Sequence, residues 1–214
     1  MAEIYTITHT IDAKHVKNIG EQSVSSPVQA VIEMVKNSYD ADADNCTVHF
    51  YAKTSLAQYL DVNKIVVEDD GVGTTFKDVE NKWMRIGTEN KERESWSPIH
   101  SRRVSGEKGM GHFATQKLGN KLKLVSDPEM YKDRESSKFS DKTLTLKIDW
   151  EEYKPGLLFN EIKNDLEVTK RENPDKHGIS IEITNLSDEW TLDDIEKVQI
   201  NLGNLLLPKF IRKT

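Results

Sequence analysis

The clearest periodicity in the chain follows Ser26-Pro27-Val28-Gln29. Val28, Val31, Ile32 and Val35 recur at helical spacing, while Ala30, Glu33, Met34, Asn37 and Asp40 fall along an adjacent face. A hydroxyl before a proline, with glutamine three residues after the hydroxyl, is a capping-box start, so a helix is predicted over 27–41. β-Branched or alternating runs predict strands at 46–51, 60–68, 121–126, 143–150 and 179–184, with an edge strand at 4–10. The run Ile65-Val66-Val67 feeds directly into Asp69-Asp70-Gly71-Val72-Gly73, a strand that ends in a tight glycine loop. Residues 75–83 read as a short helix, and 87–105, polar and without period, as a flap ending in Arg102-Arg103. Gly106-Glu107-Lys108-Gly109-Met110-Gly111 then opens a helix closed by Gly119. Leu192, Ile195, Val198, Leu202, Leu205 and Leu206 repeat at helical spacing behind Thr191, which predicts a final helix over 191–206. The charge-rich stretches 127–142 and 161–176 read as solvated loops or hairpins without chemistry.

Composition acts mainly by exclusion. With 214 residues, 36% apolar and 31% charged, the chain is sized and patterned for a folded core, and no repeat or low-complexity linker divides it. One domain over 1–214 is expected. A net charge of −6 gives no bulk attraction to nucleic acid or anionic lipid, so a nucleic-acid partner is left open. No apolar stretch approaches the ~20 residues of a membrane span, and the start lacks a signal-peptide pattern. A lone Cys46 cannot form an internal disulfide, and a reducing, cytoplasmic setting is the expectation.

Three clusters hold candidate chemistry. Glu33, Asn37 and Asp40 stand at i, i+4 and i+7, so they share one side of a helix; by themselves they fit either a ligand face or an ordinary solvated one. Asp69-x-Gly71-x-Gly73 puts a carboxylate at a strand end with glycines that permit positive φ and close ligand approach, and it fits a simple chain reversal too. Gly106-x-x-Gly109-x-Gly111 before a helix offers backbone N–H groups to phosphate, a pattern shared with many glycine-rich loops.

In their order and spacing the three clusters resemble the boxes of the GHKL superfamily, which contains gyrase B, the ninety-kilodalton heat-shock chaperone, histidine kinases and MutL. Glu33-Met34-Val35-Lys36-Asn37-Ser38-Tyr39-Asp40-Ala41 is similar to its first box, Asp69-Asp70-Gly71-Val72-Gly73 to its second, and Gly106 to Gly111 to its third. The resemblance covers about 26–118. It implies an α+β two-layer sandwich, the Bergerat fold: a mixed β-sheet with helices on one face, ATP between them, and a flexible lid over about 85–111. It further implies that Asp69 accepts from the adenine amino group, that Asn37 offers a carbonyl oxygen to Mg²⁺, that Glu33 activates the attacking water, and that Asp40 supports the adenine end. Gly71 and Gly73 would let the chain approach the nucleotide closely. Gly106, Lys108, Gly109, Met110 and Gly111 would meet the phosphates, with Thr88 and Lys91 joining from the lid. A solvated Lys108 is the alternative at that position.

The resemblance also sorts the activities. A histidine kinase needs no water-activating carboxylate, and no phosphoacceptor helix surrounds any of the six histidines, so Glu33 favours hydrolysis; His112 reads as a packing or solvent-facing residue. A binding-only ATP module and a phosphotransferase are the alternatives. Dimerisation on nucleotide binding, and a transducer or client domain following 214, are what such domains imply. Gly178-Ile179 sits where many members carry Gly-Thr, so one polar contact near the adenine is missing, and Ser180 supplies it only in a different strand register.

Overall fold

The computed structural model describes residues 9–56, 59–86, 96–97, 99–104, 114–129 and 141–205. The expected strand at 4–10 lies outside them, as do Thr88, Lys91, the glycine motif from Gly106 to Gly111, His112 and the last residue of the predicted C-terminal helix.

Helix α1 spans Ala13–Gln22 and α2 Pro27–Asp40. Strands β1 (Cys46–Leu56) and β2 (Tyr59–Asp69) form a hairpin, followed by the short α3 (Phe76–Asp78) and a π-helical turn, Val79–Trp83. Next come α4 (Thr115–Leu118), β3 (Gly119–Asp127), β4 (Lys142–Asp149), β5 (Leu166–Lys170), β6 (Gly178–Leu186), β7 (Trp190–Thr191) and α5 (Leu192–Leu205). The sheet runs β1-β2-β6-β3-β4-β5, with β7 added to β2. Every pairing among the described residues is antiparallel; the mixed character expected of the sheet does not enter these strands.

Alternation along the strands assigns the two faces. Ile65 and Val67 of β2, Ile183 of β6, Leu122 and Leu124 of β3, and Leu144, Leu146 and Ile148 of β4 are buried. They pack beneath α2, α4 and α5 at one end of the sheet and beneath α1 at the other. Residues between them face the opposite side, where ion pairs such as Lys64–Glu182 (3.2 Å) and Lys121–Asp149 (3.4 Å) cross between strands. The molecule is therefore an α+β fold with its helices on one face of the sheet.

Helix α2 starts as the sequence indicates, with Ser26 Oγ accepting from the Gln29 backbone N–H at 3.1 Å and proline in the first turn. It stops at Asp40 because Asp42 adopts φ +63° and turns the chain away. Its buried face is Ala30, Val31, Ile32, Met34 and Ser38. The inward side thus takes Met34 and Ala30 from the face reserved for ligand, while Val28 and Val35 are only half-buried.

Two parts of the fold go beyond the sequence expectations. Helix α1 was not anticipated, because it buries only Ala13, Val16 and Gly20, small residues that give a faint stripe. The stretch 161–176, expected to be solvated, contains β5, an edge strand on β4. Its Arg171 is buried and donates to the Pro128 carbonyl at 2.5 Å and the Lys142 carbonyl at 3.4 Å, so it ties together the two ends of the neighbouring 128–141 stretch.

Candidate functional site

The site begins at the end of β2. Asp69 pairs with Ile179 of β6 and Cys46 of β1, so its side chain sits at the rim of the sheet on the helix-covered face. Its carboxylate accepts from Ser38 Oγ of α2 at 2.7 Å through Oδ2, and from the Gly71 and Ile179 amides at 3.0 and 3.3 Å through Oδ1. Burial is the largest influence on it and pushes its pKa above the usual aspartate range, although all three hydrogen bonds oppose that shift. Ser38 is itself buried and receives a long contact from the Cys46 thiol, 3.4 Å. Burial likewise raises the Cys46 pKa.

Asp70, one residue on, has the opposite fate. It accepts from the backbone amides of Asp44 and Asn45 and from Asn45 Nδ2, all at 2.8 Å. Partial burial works against its charge, yet these bonds prevail and hold its pKa below the ordinary value. Asp70 fastens the turn before β1, and Asp69 alone faces the helices.

The glycines of this loop answer to neighbouring backbone. A Cβ on Gly71 would lie 2.6 Å from the Ala41 carbonyl oxygen. Gly73 has φ +66°, and a Cβ there would lie 2.7 Å from the Asp127 carbonyl oxygen. Both allow the loop to nest between the end of α2 and the end of β3. Gly178, with φ +118°, is equally constrained, because a side chain would run into the Asp69 carbonyl. His177 closes this edge, its Nδ1–H donating to the Gly71 carbonyl at 2.9 Å.

Glu33, Asn37 and Asp40 all lie on the unbroken α2 and are half-buried. Asn37 immediately precedes Ser38, whose hydroxyl holds Asp69, so the first and second sequence clusters meet in space. Glu33 Oε1 accepts from Gln29 Nε2 at 2.7 Å and from Lys36 Nζ at 2.8 Å. Lys91, Gly106, Lys108, Gly109, Met110 and Gly111 lie outside the described residues.

Of the segment expected as a flap, residues 96–97 and 99–104 are described. Asp42, buried and left-handed, accepts from the Ile99 amide at 2.7 Å and the His100 amide at 3.3 Å. Arg102 donates to the Ala43 carbonyl at 2.6 Å and to Asp44 at 3.3 Å, with its guanidinium 4.9 Å from the Tyr39 ring centre. Ser97 and Arg102 close a small loop through two 2.8 Å hydrogen bonds. Ile99, His100 and Arg102 thus contact the C-terminal end of α2, although the segment lacks periodicity in the sequence.

Sequence reasoning overlooked Ser38, Gln29, Lys36 and Asp42. Ser38 had a signal, a hydroxyl on the inward side of an amphipathic helix beside Asn37. Asp42 had none, because its role depends on a segment more than fifty residues away. Ile179 lies directly opposite Asp69, so it shares that face. Ser180 lies opposite Glu68 and bonds it at 3.1 Å on the other face, so it does not replace the missing threonine.

A carboxylate kept at a sheet rim by a helix that also presents a carboxylate, a carboxamide and a second carboxylate suits a purine nucleotide with a hydrated cation. The family model for histidine kinase-, DNA gyrase B- and HSP90-like ATPases matches residues 24–178. The chain belongs to this ATPase family. The matched span holds all three sequence boxes together with β1 to β5. The chain is also 28% identical over 109 residues to a putative type II restriction enzyme, HgiDII, of Herpetosiphon aurantiacus. That match covers 51% of this chain and 16% of the relative, so the chain corresponds to a small part of that longer protein. Among the described residues no helix is long and apolar enough to cross a membrane.

Proposed function

We propose that the chain binds Mg-ATP between α2 and the loop after β2, and hydrolyses it slowly. The observation that carries this reading is the 2.7 Å bond from Ser38 to Asp69, which joins the helix of Glu33, Asn37 and Asp40 to the carboxylate suited to adenine. Asp69 selects the base: it accepts from an adenine amino group and repels the carbonyl that guanine has there. Asp40 supports the adenine end from the last turn of α2.

The donor set suits magnesium. Asn37 offers a neutral carbonyl oxygen from the same helix as Glu33, and Mg²⁺ characteristically takes few protein ligands beside phosphate oxygens and water. Asn37 would hold the ion through its side-chain oxygen, and the ion when bound neutralises phosphate charge. Glu33, one helical turn before Asn37, orients a water for in-line attack and takes its proton on Oε2. The glycine motif from Gly106 to Gly111 and Lys108, with Lys91 and Thr88, serves the phosphates.

Nucleotide occupancy orders the lid and promotes dimerisation, so hydrolysis acts as a timer within a larger protein. The restriction-enzyme relative supports reading the chain as the ATP module of a longer, DNA-acting protein. Calorimetry and turnover measurements test the core of the proposal. Mg-ATP should bind and Mg-GTP should not, and Glu33→Ala should keep binding while turnover falls to background. Absence of both heat and thermal protection with saturating Mg-ATP would overturn the reading. Size-exclusion chromatography with a non-hydrolysable ATP analogue tests dimerisation separately.

A further inference from the structure

The start of α2 has the sequence of a reciprocal capping box, but only half of one forms. Ser26 Oγ accepts from the Gln29 amide, whereas the Gln29 side chain does not turn back toward Ser26. It runs forward one turn to Glu33 Oε1, 2.7 Å away. Lys36 approaches the same oxygen from the other side of Glu33, at 2.8 Å. A carboxylate oxygen has about two lone-pair directions, so both on Oε1 are taken, while Oε2 accepts nothing from the described residues.

We propose that Gln29 and Lys36 are positioning residues that hold the Glu33 carboxylate by one oxygen and leave the other, Oε2, aimed at the attacking water. This rests on the reading of Glu33 as the water-activating group. The terminal torsion of a glutamate is broad and roughly two-fold, so an untethered carboxylate would present either oxygen over a wide arc. Two donors at i−4 and i+3 remove that freedom. They also do different work: Gln29 is neutral and fixes direction, whereas Lys36 adds a positive charge that offsets the repulsion between Glu33 and a polyphosphate.

Steady-state ATPase kinetics on the full chain test the proposal with Gln29→Leu, Lys36→Met and the double variant. A general base contributes on the order of 10²–10⁴ to rate, and small misplacement forfeits a large share of it. Each single variant should lower kcat about tenfold and the double variant about a hundredfold, with KM for ATP within about twofold of wild type. Lys36→Arg, which keeps a cationic donor, should recover most of the rate lost in Lys36→Met. A purely structural role would move the melting temperature without this split between kcat and KM or this recovery. Gln29→Leu retains the backbone bond to Ser26, so helix capping is preserved; should it fail to fold, Gln29→Met repeats the test. Unchanged kcat in the double variant, with Glu33→Ala inactive, overturns the positioning roles alone. Wild-type turnover in Glu33→Ala overturns the reading of Glu33 and this proposal with it.

Discussion

Replacing Asp69 with asparagine separates what this carboxylate does for the fold from what it does for the ligand. Its three donors are the Ser38 hydroxyl and the Gly71 and Ile179 amides. In Asp69→Asn the side-chain oxygen keeps the two amides, and the new amino group faces Ser38, whose hydroxyl turns from donor to acceptor. No buried group is left without a partner, so the fold survives. The negative charge is lost, and with it a charge-assisted acceptor for the adenine amino group, worth about 1.5–3 kcal/mol. At 1.4 kcal/mol per factor of ten, ATP should bind about 10- to 100-fold more weakly. The preference for ATP over GTP should narrow as the repulsion of guanine disappears.

Stability should move the other way. Because burial raises the folded-state pKa of Asp69, the favourable contribution from its protonated form is complete below the unfolded pKa and is lost as pH rises through the folded one. At pH 7 the wild type therefore carries a buried charge that the asparagine removes. The variant should melt at the same temperature or higher at neutral pH, and the difference should close in acid, where Asp69 is protonated in both states. Calorimetric affinities for ATP and GTP at pH 7, with melting curves at pH 7 and at about pH 3, below the unfolded aspartate value of 3.8, are sufficient. An ATP affinity within twofold of wild type would refute the assignment of Asp69 to the base, and a lower melting temperature at pH 7 would refute the energetic argument.

Three further predictions draw on other parts of the molecule. Asp42→Gly keeps the left-handed backbone but removes the acceptor of the Ile99 and His100 amides, so trypsin should cut after Arg102 or Arg103 at least about tenfold faster. In the wild type the same release should occur only in acid: burial opposes the Asp42 charge, but hydrogen bonds from Ser97, Ile99 and His100 hold its pKa below the ordinary value, and the anchor is lost as pH falls through it. Gln116 is buried with neither side-chain polar atom partnered among the described residues, so Gln116→Met should gain about 1–3 kcal/mol, read as a melting temperature about 3–8 °C higher. Ile179→Thr places a hydroxyl beside Asp69 on the same face and should tighten ATP binding about threefold to tenfold by calorimetry, at a stability loss of about 1 kcal/mol.

The parts of the fold visible in the sequence were those with a local cause. Helix α2 announced itself through Ser26, Pro27 and its apolar stripe, and β2 through Ile65-Val66-Val67 before the glycines. Helix α1 was hidden because its contact surface is Ala13, Val16 and Gly20, which bury too little to leave a pattern. Gly71 and Gly73 were recognised as special, but their reason is long-range: the carbonyls of Ala41 and Asp127 fill the space where side chains would be. The contacts of residues 96–97 and 99–104 are long-range in the same way. Absence of period indicates that a segment is neither helix nor strand, and it says nothing about whether a distant Asp42 and the segment's own Arg102 fasten it.

The neighbouring aspartates at the end of β2 differ in what their charge does for the fold. Both receive three hydrogen bonds, and at Asp70 these outweigh burial, so its charge supports the turn it holds. At Asp69 the same number of bonds fails to offset burial, so its charge is kept at a loss to the ligand-free protein. A neutral asparagine would satisfy the Ser38, Gly71 and Ile179 partners equally well. What it would not do is present a full negative charge to a donor arriving from outside the chain, and that is the property the proposed recognition of adenine by Asp69 requires.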